Sequence, residues 1–299
     1  MPKEDDQVEK KPHSSITPNP ETEANLFEKV NEFALRVGRE LSDTLPLLSS
    51  VRSSRIPGPI RDVADVDIAA TRLGRMLQLL QGSRSLAQQS LGTAIAPISR
   101  AMWETWFDTA WMLHDPQERL ERATAFWAAG VAQQLGIIRA FQKWDGYLVP
   151  VLQEAMEDIS KLVKQEPHLY DRWLDDQARS KRSLHSIHWV EQKPTKGEKA
   201  KQMGQMYEKS YDIDYTLLSI AAHGEGGELP RLMEEGHGET HIHVGEGTEA
   251  AINYLLLGCV AAIALVYEIQ HAYLGGHTKA IDALNEQANI LRKECPAII

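Results

Sequence analysis

Between Ala250 and Tyr267 the chain reads AAINYLLLGCVAAIALVY, 18 residues without a single charge. A segment like this has two stable homes. One is a bilayer, where about 18 apolar residues is the lower limit for a span. The other is the centre of a protein, occupied by a helix that is apolar all round. The flanks and composition favour the second. Glu249 and Glu268 bound the segment where Lys or Arg would mark a membrane edge, Asn253 lies inside it, and it is rich in Ala. A buried central helix needs other elements around it, and a chain of 299 residues, 42% hydrophobic, has enough apolar material to provide them.

Those surrounding elements read as helices. In residues 21–45, Leu26, Phe27, Val30, Phe33, Ala34, Val37 and Leu41 recur at spacings of three and four, up to Pro46. Ser49 to Pro59 is rich in helix breakers and predicts a loop. Helical periodicity returns over 61–81, then from Ser85 to Leu113 with a bend at Pro97. Asp115-Pro116 supplies an N-cap and a first-turn proline for a helix to about Trp144. Shorter helices are expected over 147–164 and 168–184, then a linker at 191–197, and further helices over 198–223, 248–274 and 277–293. No segment alternates with period two for long. The expected fold is all-α: one multi-helix bundle over 21–299 around a largely apolar C-terminal helix, preceded by a flexible tail at 1–20.

Composition narrows the function. With 42 acidic and 32 basic residues the net charge is −10, which repels phosphate backbones, so no DNA binding is expected and RNA would need a local basic patch. Two cysteines, Cys259 and Cys295, make no disulfide framework and lack metal-ligand spacing, as suits a reducing compartment. The charged, proline-containing start is no secretory signal, so a cytoplasmic location away from membranes is expected.

Two polar stripes interrupt the apolar helices. Arg100, Glu104 and Asp108 stack on one helix face at i+4 spacing among Trp103, Trp106, Phe107 and Trp111. Such a stripe either fixes helix register as an ion pair or grips an anionic ligand. Tyr207, Tyr211, Tyr215, Ser219 and His223 form the second stripe, where Ser219 and His223 invite comparison with a nucleophile and base. No nucleophile elbow or oxyanion-hole motif accompanies them, which favours hydrogen-bonded helix packing or ligand contact.

A third feature is the Gly/Glu/His-rich stretch 223–249, with His223, His237, His241, His243 and seven glutamates. If His241-Ile242-His243 is extended, both imidazoles fall on one face. His237, His241 and His243 are then candidate ligands for a divalent transition metal such as Zn, Ni or Fe. The alternative is a solvated acidic loop.

Arg100 with Glu104, and Tyr215 with Leu218-Ser219 and His223-Gly224, resemble the R-x-x-x-E and Y…LS…HG helices of an uncharacterised bacterial family of all-helical proteins, a domain of unknown function. The apolar helix at 250–267 is also similar to that family, over a span of about 70–270. The resemblance implies a helical fold and a candidate site at Arg100, Glu104, Tyr215, Ser219 and His223, without a reaction. Such proteins are also reminiscent of HEPN-type helical domains, some of which are ribonucleases with Arg-x(4–6)-His. Arg179/His185, Arg182/His188 and Arg231/His237 have that spacing, and chance supplies about two such pairs at this composition.

The leading expectation is therefore a cytoplasmic bundle that binds a small ligand or protein partner in a polar cleft between helices. The alternatives are a HEPN-like ribonuclease acting as a toxin or defence effector, a metal-dependent enzyme or sensor built on the His/Glu loop, and a structural interaction module.

Overall fold

The computed structural model describes residues 20–55, 63–124, 126–127, 130, 154, 157, 195–223, 233–236, 239–242 and 248–295. Helices dominate: α1 (Pro20–Arg55), α2 (Ala64–Ala87), α3 (Gly92–His114), α4 (Lys196–Met203), α5 (Gln205–Ser210), α6 (Thr216–His223), α7 (Thr248–Leu274) and α8 (Lys279–Glu294). A π-helical turn, Tyr211–Tyr215, joins α5 to α6, and a two-stranded hairpin, β1 (Met233–Gly236) and β2 (Glu239–Ile242), precedes α7.

The uncharged segment is the hub of an all-α bundle. Helix α7 packs against α3, α1, α2 and α8, and every residue from Ala251 to Cys259 is buried. Of its most apolar 18-residue window, 78% is inside the protein. Helices α3 and α7 are also keyed to each other by hydrogen bonds. Ser99 Oγ donates to the Tyr254 carbonyl at 2.7 Å, and Trp103 Nε1 donates to the Leu257 carbonyl at 3.0 Å. A Cβ on Gly258 would lie 3.0 Å from Met102 Sδ and 3.2 Å from Ser99 Oγ, so a larger residue there would force these α3 side chains to shift. Helix α8 lays Ile281, Leu284, Ala288 and Leu291 inward as one amphipathic stripe.

Several boundaries differ from the sequence expectation. Helix α1 continues through Pro46 to Arg55. An interior proline costs about 3 kcal/mol, but the extra turns bury Leu48 and tie α1 to α2 through Arg52–Asp67 at 2.6 Å and Arg55–Asp65 at 2.8 Å. Helices α2 and α3 part at residues 88–91, where the expectation ran one helix on from Ser85. Ser90 has φ +55°, its N–H reaches the Ala87 carbonyl, and the Leu91 N–H reaches that of Leu86. That pattern is a Schellman closure with serine in the left-handed position usually held by glycine.

The helix expected over 198–223 is broken at Gly204, φ +113°, and widened by the π turn. Within the expected 223–249 loop, β1 and β2 pair antiparallel with Glu234 opposite His241. Asp115 behaves as the expected cap: its Oδ1 accepts the Gln117 N–H at 2.9 Å, and the chain is helical over 119–124. The tail at 1–19 and the helices expected at 147–164 and 168–184 lie outside the described residues, apart from Glu154 and Glu157.

Candidate functional site

The first polar stripe faces α4 and the π turn. Glu104 Oε1 is met from two other elements, by Lys196 Nζ on α4 at 2.8 Å and the Tyr215 hydroxyl of the π turn at 3.0 Å, while Arg100 Nε on α3 stands at ion-pair distance, 3.3 Å, without a hydrogen bond. An Arg100 terminal nitrogen also donates to the Tyr215 hydroxyl at 3.5 Å, and both cations lie 5.7 Å from the centre of the Tyr215 ring. The side chains of Arg100, Glu104 and Lys196 remain 22%, 32% and 16% exposed. Charged groups with solvent access thus sit in a seam walled by aromatics. Tyr211 stacks on Tyr215 with ring centres 5.1 Å apart, and Phe107 meets Tyr215 edge-on at 6.2 Å.

The electrostatics suit binding better than proton transfer. Burial alone would raise the Glu104 carboxyl, but the hydrogen bond and charge of Lys196, the Tyr215 hydroxyl and Arg100 outweigh it and hold the group below the usual carboxylate range. Burial raises the Tyr215 phenol, with Lys196 and Arg100 opposing and Glu104 adding to the rise, so the phenol stays a neutral donor. Neither group is poised near neutrality, where general acid–base catalysis works best. The thiols are not activated either: burial pushes Cys259 up, and burial with Glu294 pushes Cys295 up to about 11.

Helix α4 owes its position to a capping box. Thr195 Oγ1 accepts the Glu198 N–H at 3.3 Å while Glu198 Oε2 accepts the Thr195 N–H at 2.7 Å. From that start Lys196 and Lys199, three residues apart, reach successive carboxylates of α3. Lys199 Nζ lies 2.8 Å from Asp108 Oδ1, with the lysine side chain only 2% exposed. The cation also lies 5.0 Å from the Trp111 ring centre and 5.8 Å from that of Phe126. Burial lowers the Lys199 pKa, and the charge and hydrogen bond of Asp108 act against that shift. At the other end of the second stripe, the Tyr207 hydroxyl donates to Glu268 on α7, whose carboxyl is raised by burial against the pull of Tyr207 and His271.

Of the sequence candidates, Arg100, Glu104 and Tyr215 come together. Ser219 is half-buried on α6, four residues beyond Tyr215, and takes no part in this network among the described residues. His223 is the last residue of α6, with only its backbone position described. His241 lies in β2, while His237 and His243 fall outside the described residues, among which no group of three His, Cys, Asp or Glu side chains is gathered for a metal. The pairs Arg179/His185, Arg182/His188 and Arg231/His237 also lie outside them. Sequence reasoning missed Lys196 because it took 191–197 for a linker, and Lys199, within the helix expected from 198, because nothing local pairs it with Asp108, 91 residues away. The T-x-x-E box at Thr195–Glu198 was the legible sign that a helix starts there.

No curated protein and no solved structure matches the chain. A family model, described as a family of unknown function (DUF5677), matches residues 66–240. The match takes in α2 and α3, the α4–α6 run with both polar stripes, and most of the hairpin, and it stops before the apolar helix α7. With more than half of its length inside that match, and with the mostly helical architecture the motifs implied, the chain belongs to this family of unknown function, DUF5677.

Proposed function

We propose that this chain is a cytoplasmic ligand-binding bundle that takes a polar group of a small ligand, or of a partner, at the seam of α3, α4 and the π turn. One observation carries the proposal: a lysine of α4 and a hydroxyl of the π turn converge on Glu104 Oε1 beside the Arg100 ion pair of α3, while the charged groups keep access to solvent. A pure register device needs only the i+4 pair, Arg100 with Glu104. The added Lys196 and Tyr215 make a preorganised cluster of donors around one acceptor, the kind of convergent polar group that fixes a ligand's orientation. Ser219, half-buried further along α6, extends the surface along which a ligand would lie.

The test is a thermal-shift screen of polar metabolites on the wild type, Tyr215→Phe and Arg100→Gln, with helicity followed by circular dichroism. A ligand should raise the wild-type Tm by several degrees and lose most of that effect in both variants, which keep their helicity. Equal shifts in all three proteins, or variants that lose their helicity, would make the cluster structural and end the proposal.

A further inference from the structure

A second polar feature lies on the far side of Asp108 from this seam. A groove of about 330 Å³ runs between α2 and the chain beyond Asp115, lined among others by Thr71, Arg72, Arg75, Phe126 and Trp127. That volume is at the lower end of the range for small-molecule sites. Its walls divide by chemistry, with two arginines and a hydroxyl on α2 facing two aromatic rings. The Arg72 guanidinium carbon lies 5.1 Å from the centre of the Phe126 ring.

Among the described residues neither arginine is satisfied by an acid: Arg72 and Arg75 have no hydrogen bond and no ion pair. The carboxylate that Arg72 senses, Asp108, gives its Oδ1 to Lys199 at 2.8 Å. Burial of Arg72 and repulsion from Arg75 both disfavour its charge, and only Asp108 offsets them. A half-buried guanidinium stacked on an aromatic ring, with a second beside it and no carboxylate in contact, presents planar forks of donors suited to bidentate recognition of an anion.

We infer that the groove binds a small planar anion, its ring against Phe126 and Trp127 and its carboxylate or phosphate held by Arg72 and Arg75. The inference is independent of the Glu104 cluster, since no side chain is shared between the two sites.

Isothermal titration calorimetry of the full chain tests it with five probes: indole-3-acetate and adenosine monophosphate, their uncharged counterparts indole-3-acetamide and adenosine, and inorganic phosphate. At least one anion should bind, at least about tenfold more tightly than its uncharged counterpart, and the preferred anion separates a carboxylate ligand from a phosphate one. Arg75→Gln, a change at an exposed residue with no partner among the described residues, should weaken that binding about tenfold or more. Arg72→Lys, which keeps the charge but loses the planar fork, should also weaken it. Tyr215→Phe should leave it unchanged. The inference is overturned if neither anion binds, if charge makes no difference, if inorganic phosphate alone binds as well as the nucleotide, or if Arg75→Gln binds like the wild type. A loss in Tyr215→Phe equal to that in Arg75→Gln would place the ligand at the Glu104 cluster and overturn it too.

Discussion

At the scale of single residues the most consequential pair is Lys199 with Asp108. A lysine that is 2% exposed and 2.8 Å from its carboxylate has given up its water, and the ion pair and nearby aromatic faces stand in for it. Removing one partner of such a pair leaves the other charge buried and alone, at a cost of about 3–5 kcal/mol. Lys199→Met should therefore lower stability to urea by about that amount, although methionine fills a similar volume. In Lys199→Met/Asp108→Asn the uncompensated charge is gone, so the double variant should be more stable than the single one, short of wild type because Arg72 then loses the field of Asp108. Equal urea midpoints for single and double variants would show the pair to be uncoupled. The acidic half of this pair was legible in sequence, because Arg100, Glu104 and Asp108 announce one helix face by spacing alone. Its basic half was not. Lys199 is 91 residues from Asp108, and only helix order brings the two together.

At the scale of elements, the sequence revealed helices well and their ends poorly. Helix α7 occupies the expected 248–274, because its 18 uncharged residues from Ala250 to Tyr267 admit few alternatives. Pro46 misled in the opposite way: breaker chemistry is local, whereas α1 continues on the strength of burial and of two ion pairs to α2 that no local rule contains. The α2–α3 break was hidden for another reason. Its left-handed position carries Ser90, φ +55°, rather than the glycine or asparagine that marks a Schellman closure. A non-glycine residue in that conformation is strained by about 1–2 kcal/mol. Ser90→Gly relieves the strain but adds freedom to the unfolded chain. The net expectation is a gain of about 0.5–1 kcal/mol, read as a higher thermal midpoint with an unchanged helical spectrum. A lower midpoint would mean that the closure is not under strain.

At the scale of the whole molecule, the arrangement separates a pillar from an appendage. Helix α7 is enclosed by α1, α2, α3 and α8, and its stretch from Ala251 to Cys259 is buried throughout. The α4–α6 run leans chiefly on α3 and is interrupted by Gly204 and the π turn, so it is expected to open before the bundle does. Amide exchange measures this difference, since buried pillars exchange only through global unfolding and appendages through cheaper local opening. Peptides from 250–267 should therefore exchange at least about tenfold more slowly than those from 205–223. They should also collapse to the global rate in mild urea, where the 205–223 peptides are already exchanged. The same experiment decides the choice the sequence first posed for its uncharged segment. A helix destined for a bilayer would be held loosely in a water-soluble bundle and exchange as fast as α6. A helix whose partners are Ser99, Trp103 and Met102 of α3 would be the last part of the protein to open. The hydrogen bonds from Ser99 and Trp103 to α7 carbonyls fasten α7 to α3 within the bundle, and they make slow exchange of α7 the expected result.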